Sequence, residues 1–146
     1  EYNTDDYPKR LNHCTDGPLA VFSRGIKNLN HPRALAIVGT RMATDYGKTF
    51  TQKLISELAE HNVAIYSGLA YGIDIAAHRA ALKHSVPTVG VVAHGLDRIY
   101  PSHHKGTAHQ MTENGAIVSE FFKIVYNQLL VLNALSSFFC HVISKI

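Results

Sequence analysis

The sequence predicts an open parallel α/β sheet with helices on both faces. Four apolar runs have the length of strands, and three stretches of helical periodicity separate them. The runs are residues 34–38, 63–66, 88–93 and 116–119, and the helical stretches are residues 46–61, 74–84 and 102–113. Strand and helix therefore alternate without any repeat of sequence. Such alternation is typical of parallel strands joined by right-handed crossovers.

Individual elements carry their own signals. Residues 34–38 are apolar at every position, which favours a central strand buried on both faces. In the first helical stretch, apolar residues recur at helical spacing and predict one apolar face that includes Phe50 and Ile55. Ser102 is a residue type that favours helix starts, so it is expected to cap the last helix.

The pattern divides the chain into three parts. Residues 1–33 are polar and turn-rich, and we expect them to be a lead-in or the remnant of an upstream domain, with an edge strand near residues 19–22. Residues 34–121 are expected to form a partial Rossmann-like domain.

Residues 122–146 form an atypical apolar tail. The stretch 124–143 is about as long as a membrane span, but several Asn, Gln and Ser residues interrupt it. Three alternatives stay open for it: an irregular or non-native run, a buried helix, and a membrane segment. For the chain as a whole, we expect no membrane partner.

Composition narrows the class of protein. The chain has 146 residues, of which 46% are hydrophobic and 17% charged, values typical of a globular fold. The net charge is +3, and Lys123 and Lys145 in the tail supply two of these charges. Any nucleic-acid site must therefore be a local cluster of cations. The two cysteines, Cys14 and Cys140, exclude a disulfide framework and suggest a reducing, cytoplasmic setting.

Three loops follow the first three predicted strands, where open parallel sheets bind ligands. We name them the first loop (39–47), the second loop (67–74) and the third loop (94–101). In the first, Gly39 allows close backbone approach, and Thr40 and Arg41 offer a hydroxyl and a guanidinium to a phosphate. On these residues alone, a glycine turn with a solvated arginine is an equally good interpretation.

The second and third loops offer further groups to a phosphate or a base. Ser67 and Gly68 could donate a hydroxyl and an amide, whereas Asp74 is better explained as a cap of the next helix. Tyr100 is either a surface on which a base stacks or a packed tyrosine. The second loop lacks the Lys-Ser/Thr ending of a P-loop, and no Gly-x-Gly-x-x-Gly follows the first strand. A catalytic role for His78 with Asp74 is disfavoured, because no nucleophile motif accompanies them.

A metal site is also disfavoured. His103, His104 and His109 lie close in sequence, but the last two are five residues apart and no carboxylate or cysteine completes a set. Solvated helix histidines explain them better. We expect neither a metal nor a cofactor.

A series of motifs resembles the DprA/Smf family, in order and at similar separations. The motifs are Ala36-Ile37-Val38-Gly39-Thr40-Arg41, Ser67-Gly68-Leu69-Ala70-Tyr71-Gly72-Ile73-Asp74, Gly95-Leu96-Asp97-Arg98-Ile99-Tyr100-Pro101 and Ser119-Glu120-Phe121. The resemblance covers roughly residues 7–121.

This resemblance implies a Rossmann-type protein of the bacterial cytoplasm that acts by binding and is not an enzyme. It implies binding and protection of single-stranded DNA in natural transformation, and loading of RecA on the strand. It also implies a homodimer in the full-length family form. The residues that it assigns to DNA or phosphate binding come from all three loops: Gly39, Thr40, Arg41, Ser67, Gly68, Gly72, Asp74, Gly95 and Tyr100.

The sequence departs from the family after Phe121. There the family continues with a Phe-Pro-x-Arg-Asn-Arg segment, whereas this chain begins its apolar run at Phe122. We expect a truncation after the Ser-Glu-Phe motif, with the C-terminal part of the sheet missing or replaced and part of the DNA site lost. The dimer of the full-length family form is not carried over to this chain. Two alternatives to DNA binding stay open: a nucleotide-binding Rossmann enzyme such as a nucleoside monophosphate phosphoribohydrolase, and a non-functional fragment. The Pro-Gly-Gly-x-Gly-Thr-x-x-Glu pattern of the enzyme is absent.

Overall fold

A computed structural model of the chain describes residues 5, 7–13 and 17–121, so the predictions for the tail lie outside the described residues. The strands are β1 Phe22–Gly25, β2 Arg33–Ala36, β3 Val63–Ser67, β4 Thr88–Val91 and β5 Ala116–Ser119. The helices are α1 Asp45–Leu58, α2 Ile73–Lys83 and α3 Lys105–Asn114. Short 3-10 segments lie at Lys9–His13, Ala59–His61 and Ser102–His104.

The strands form a five-stranded sheet in the order β1-β5-β4-β3-β2. Neighbours from β2 to β5 are parallel, whereas β1 pairs with β5 in the antiparallel direction, with Phe22 opposite Ser119. The predicted α/β class is confirmed. The predicted edge strand exists too, but it begins at Phe22, three residues later than the apolar run that suggested it.

Two features of the layers differ from the prediction. In the described part of the chain, α1, α2 and α3 all pack on one face of the sheet. The strands β2 to β5 follow each other across the sheet in one direction. Right-handed crossovers between them therefore place every helix on the same side. The segment before residue 34 covers the opposite face. Also, β2 lies at an edge of the described sheet and not in its centre, and the following Val38 is 52% exposed.

The N-terminal segment contributes to the core. Tyr7, Leu11 and Leu29 are buried in one cluster with Tyr66 and Val118. Because alternate residues of a strand point to opposite faces, Ile65 and Ile117 lie on the helical side. The chain before residue 34 is therefore a structural layer of this sheet, while the predicted domain boundary at residue 33 stays a prediction.

The helix starts also differ from those predicted. Thr44 caps α1, and its hydroxyl accepts a hydrogen bond from the amide of Gly47 at 3.2 Å. Ser102 does not cap α3: the capping position is occupied by His104, whose side chain makes no hydrogen bond to the first turn of that helix. On α1, Ile55 is buried but Phe50 is 56% exposed, so the apolar face is narrower than its periodicity indicates. No helix in the described ranges has the length and apolar character needed to cross a membrane.

Candidate nucleic-acid interface

The first and second loops are joined directly where β2 and β3 end. The hydroxyl of Ser67 donates to the carbonyl of Ile37 at 2.6 Å, and the amide of Ile73 donates to the carbonyl of Thr40 at 3.2 Å. Parallel strands end at the same edge of a sheet, so these bonds tie together two loops that are distant in sequence. The structure therefore places the first and second of the three loops in direct contact at one edge of the sheet.

Gly72 makes the tightest part of this junction. Its φ of +82° is a conformation that favours glycine, and a Cβ atom there would collide with the backbone of Thr40 and Arg41. Gly39 is restricted in a similar way, because a Cβ atom would lie 2.7 Å from the side chain of Ile73. These glycines allow the two loops to pack closely against each other.

Asp74 fastens the same junction from inside. Its carboxylate accepts a hydrogen bond from the amide of Gly68 at 3.2 Å, and amides of Ala70 and Gly39 also donate to it. Burial raises the pKa of Asp74 above its ordinary value, and these hydrogen bonds oppose the rise. The expected capping role is wrong, because the cap of α2 is Gly72 and the carboxylate turns back to the loops.

The third loop is held by two contacts. The ring of His94 accepts at Nε2 from the amide of Tyr100 at 3.3 Å, which leaves the Nδ1 proton to donate to the carbonyl of Gly95 at 2.9 Å. Arg24 of β1 donates to the carbonyl of Leu96 at 2.7 Å. Tyr100 precedes the cis-proline Pro101, and it is 70% exposed.

His104 connects the second loop to the start of α3. It is 3% exposed, and its Nδ1 donates to the carbonyl of Leu69 at 2.8 Å. Tyr71 packs edge-to-face against the same imidazole, with 4.9 Å between ring centroids. The expectation that His104 is solvated is therefore wrong. Within the described ranges, no three residues of the types His, Cys, Asp and Glu cluster in a way that could hold a metal ion.

The nine predicted binding residues differ in accessibility. Four are exposed at the edge of the sheet: Gly39, Thr40, Arg41 and Tyr100. Three are buried, namely Ser67, Asp74 and Gly95, and two are partly buried, namely Gly68 and Gly72. The guanidinium of Arg41 makes no hydrogen bond or ion pair with any residue that the structure describes, so its donors are available to a ligand.

The edge also contains residues that the sequence did not single out for binding. Tyr71 stands beside a predicted binding residue, and it is 45% exposed. Its place in a loop after a strand was the available signal. Arg24 had no such signal, because its partner Leu96 lies 72 residues away in sequence.

The fold and its loop edge define a Rossmann-like module with an exposed cation and exposed aromatic rings at the carboxyl end of its sheet. The chain matches the family model of DNA recombination-mediator protein A over residues 1–128, and it belongs to that family. Protein Smf of Escherichia coli is 39% identical over 120 residues, which are 82% of this chain and 32% of that protein.

Similar solved structures include those of two DNA processing proteins. The DNA processing protein A of Streptococcus pneumoniae matches with a TM-score of 0.84 and 30% identity, over 95% of this chain and 49% of that one. The DNA processing protein A of Helicobacter pylori, whose structure was described for its single-stranded DNA binding mode, matches with a TM-score of 0.77 and 34% identity. That match covers 87% of this chain and 59% of the other. The chain thus spans only part of the relatives it matches.

Proposed function

We propose that this chain binds single-stranded DNA along the edge formed by its three loops, and that it acts by binding without catalytic turnover. The observation that carries the proposal is the exposed side chain of Arg41, whose guanidinium lacks an internal partner in the described residues. The backbone of Arg41 lies at the junction of the first two loops. A guanidinium with free donors is suited to bidentate contact with a phosphate. Family membership supports the same function.

The accessibility of the loop residues suggests a division of roles. We propose that Gly39, Thr40, Arg41 and Tyr100 contact the strand directly. The remaining predicted residues act by holding the loops, because they are buried or packed against loop backbone: Ser67, Gly68, Gly72, Asp74 and Gly95.

Family membership supports a proposal for the cellular role. We propose protection of incoming single strands during natural transformation, loading of RecA on them, and a cytoplasmic location, with a homodimer in full-length relatives. Comparing RecA filament formation on an oligonucleotide with and without the chain tests the loading step. No acceleration at saturating chain would contradict it for this chain.

An oligonucleotide titration tests the DNA site. Measured by fluorescence anisotropy on labelled oligodeoxythymidine, Arg41→Ala is expected to weaken binding about five- to ten-fold, as loss of one charge-assisted contact does. The slope of log affinity against log salt should flatten by about 0.7, the value for one phosphate of a single strand. Arg79→Ala is the matched control: Arg79 is exposed on α2 and lines a cleft with Ser85 and Asn114 at the opposite edge. Equal salt slopes for the two variants would show that Arg41 does not contact a phosphate of the strand.

The enzyme alternative has its own test. Incubation with adenosine monophosphate is expected to release no adenine, measured by chromatography. Release that scales with protein concentration would contradict a pure binding function and favour a phosphoribohydrolase.

A further inference from the structure

Tyr71 is an aromatic residue of the second loop that the proposed contacts leave unused. It remains 45% exposed, although its ring packs against the imidazole of His104 at an interplanar angle of 68°. His104 is itself fixed, because it is buried and hydrogen-bonded to Leu69. The ring of Tyr71 is therefore supported on one side by a rigid partner while part of it stays open to solvent.

The position of Tyr71 relative to Arg41 comes from the loop junction. The next residue, Gly72, packs directly against the backbone of Thr40 and Arg41. In a single strand each base is joined through one sugar to its phosphate. A phosphate held by Arg41 therefore brings a base into the neighbourhood of the second loop.

We propose that Tyr71 stacks a base of the strand whose phosphate Arg41 binds, an inference that rests on the function proposed above. Bases of every kind present a flat π surface, so this contact is tolerant of sequence. A ring already held by a protein contact loses less conformational freedom on binding than a mobile one does. Tyr71 therefore adds affinity for bases where Arg41 adds affinity for phosphates.

Two oligomers of equal length separate these contributions. One is oligodeoxythymidine, and the other is an abasic deoxyribose-phosphate oligomer, which keeps the charges and lacks the bases. Tyr71→Ala is expected to weaken binding of oligodeoxythymidine about ten-fold, within the range for loss of one stacked base. Its binding of the abasic oligomer should match that of the unchanged chain. Arg41→Ala should weaken binding of both.

Two further variants check the aromatic character of the contact. Tyr71→Phe keeps the ring and should bind both oligomers like the unchanged chain. Leu19→Ala removes an exposed apolar side chain from the segment before β1, outside the loops, and should alter neither affinity. If Tyr71→Ala weakens both oligomers equally, or neither, Tyr71 supports the loop or is idle, and the proposal is overturned.

A spectroscopic measurement is independent of the affinity comparison. The chain contains no tryptophan, so Tyr71→Trp introduces a single indole. Its emission should change on saturation with oligodeoxythymidine and stay unchanged on saturation with the abasic oligomer. An indole that does not respond to bases overturns the stacking proposal alone. If neither oligomer binds the unchanged chain, the proposed DNA-binding function fails as well.

Discussion

In the first loop Thr40, Arg41 and Met42 are exposed, whereas in the second Ser67 and Leu69 have no accessible surface. Both loops follow parallel strands and lie in contact, so the difference does not come from their place in the fold. It comes from what their polar groups bond to. The polar groups of the second loop form hydrogen bonds inside the protein, whereas the guanidinium of Arg41 in the first loop has no partner in the part of the chain that the structure describes. The comparison suggests that the second loop, apart from the base contact proposed for Tyr71, is the scaffold on which the first loop presents its binding groups.

Gly72→Ala should test the scaffold most severely. The new Cβ atom would collide with the backbone of Thr40 and Arg41, and alanine disfavours the φ of +82°. The collision and the unfavourable φ together are expected to lower the free energy of unfolding by about 4 kcal/mol. Urea denaturation measures this loss. Gly106→Ala is the control, because a Cβ atom there meets nothing within 4 Å and α3 should gain about 0.5–1 kcal/mol. Equal stability of the Gly72 variant and the unchanged chain would contradict this account of the junction.

His78 lies beneath the second loop and should make the fold sensitive to acid. Its Nδ1 donates to the hydroxyl of Thr88 at 2.7 Å, since that hydroxyl donates onward to the carbonyl of Ile65. Complete burial lowers the pKa of His78 from 6.5 to about 3. The unfolded chain therefore binds a proton that the folded chain excludes, and stability is lost as the pH falls below 6.5.

The free energy of unfolding is expected to fall by about 1.4 kcal/mol per pH unit below pH 6.5, or by about 3 kcal/mol at pH 4. The raised pKa of Asp74 has the opposite sign and does not add to it. Urea denaturation between pH 7 and pH 4 measures the slope. His78→Asn keeps a donor near the position of Nδ1 but does not titrate, so its slope should be shallower. Equal slopes for the variant and the unchanged chain would show that groups other than His78 cause the loss of stability in acid.

Much of this architecture can be predicted from the sequence. The apolar runs at β3 and β5 were identified to within a residue, because buried parallel strands leave an uninterrupted pattern. The edge position of β2 could not be predicted, since its residues are as apolar as those of a central strand. The internal roles of Asp74 and His104 were also missed. Both depend on contacts between loops, which the local spacing of residues does not record.

Asp74→Ala should have an intermediate effect on the same junction. The change leaves the amide of Gly68, and those of Gly39 and Ala70, without the acceptor that they have in the fold. Unsatisfied amides at a partly buried site are expected to reduce the free energy of unfolding by about 2 kcal/mol. Asp74→Asn retains an acceptor oxygen and should lose less, which urea denaturation of the two variants can compare. An equal loss in both would assign the effect to the charge and not to the hydrogen bonds.

Thr44→Ala should have the smallest effect, because it changes only the exposed end of the first loop. The variant removes the hydroxyl that accepts from the amide of Gly47, and loss of such a cap costs about 1 kcal/mol in the free energy of unfolding. Thr44→Ser restores the acceptor and should recover most of this loss. Thr49→Ala, an exposed site within α1, is the control and should be neutral or slightly stabilising. A loss at Thr44 as large as that at Gly72 would mean that the first loop is as much a part of the scaffold as the second, and the contrast between them would fail.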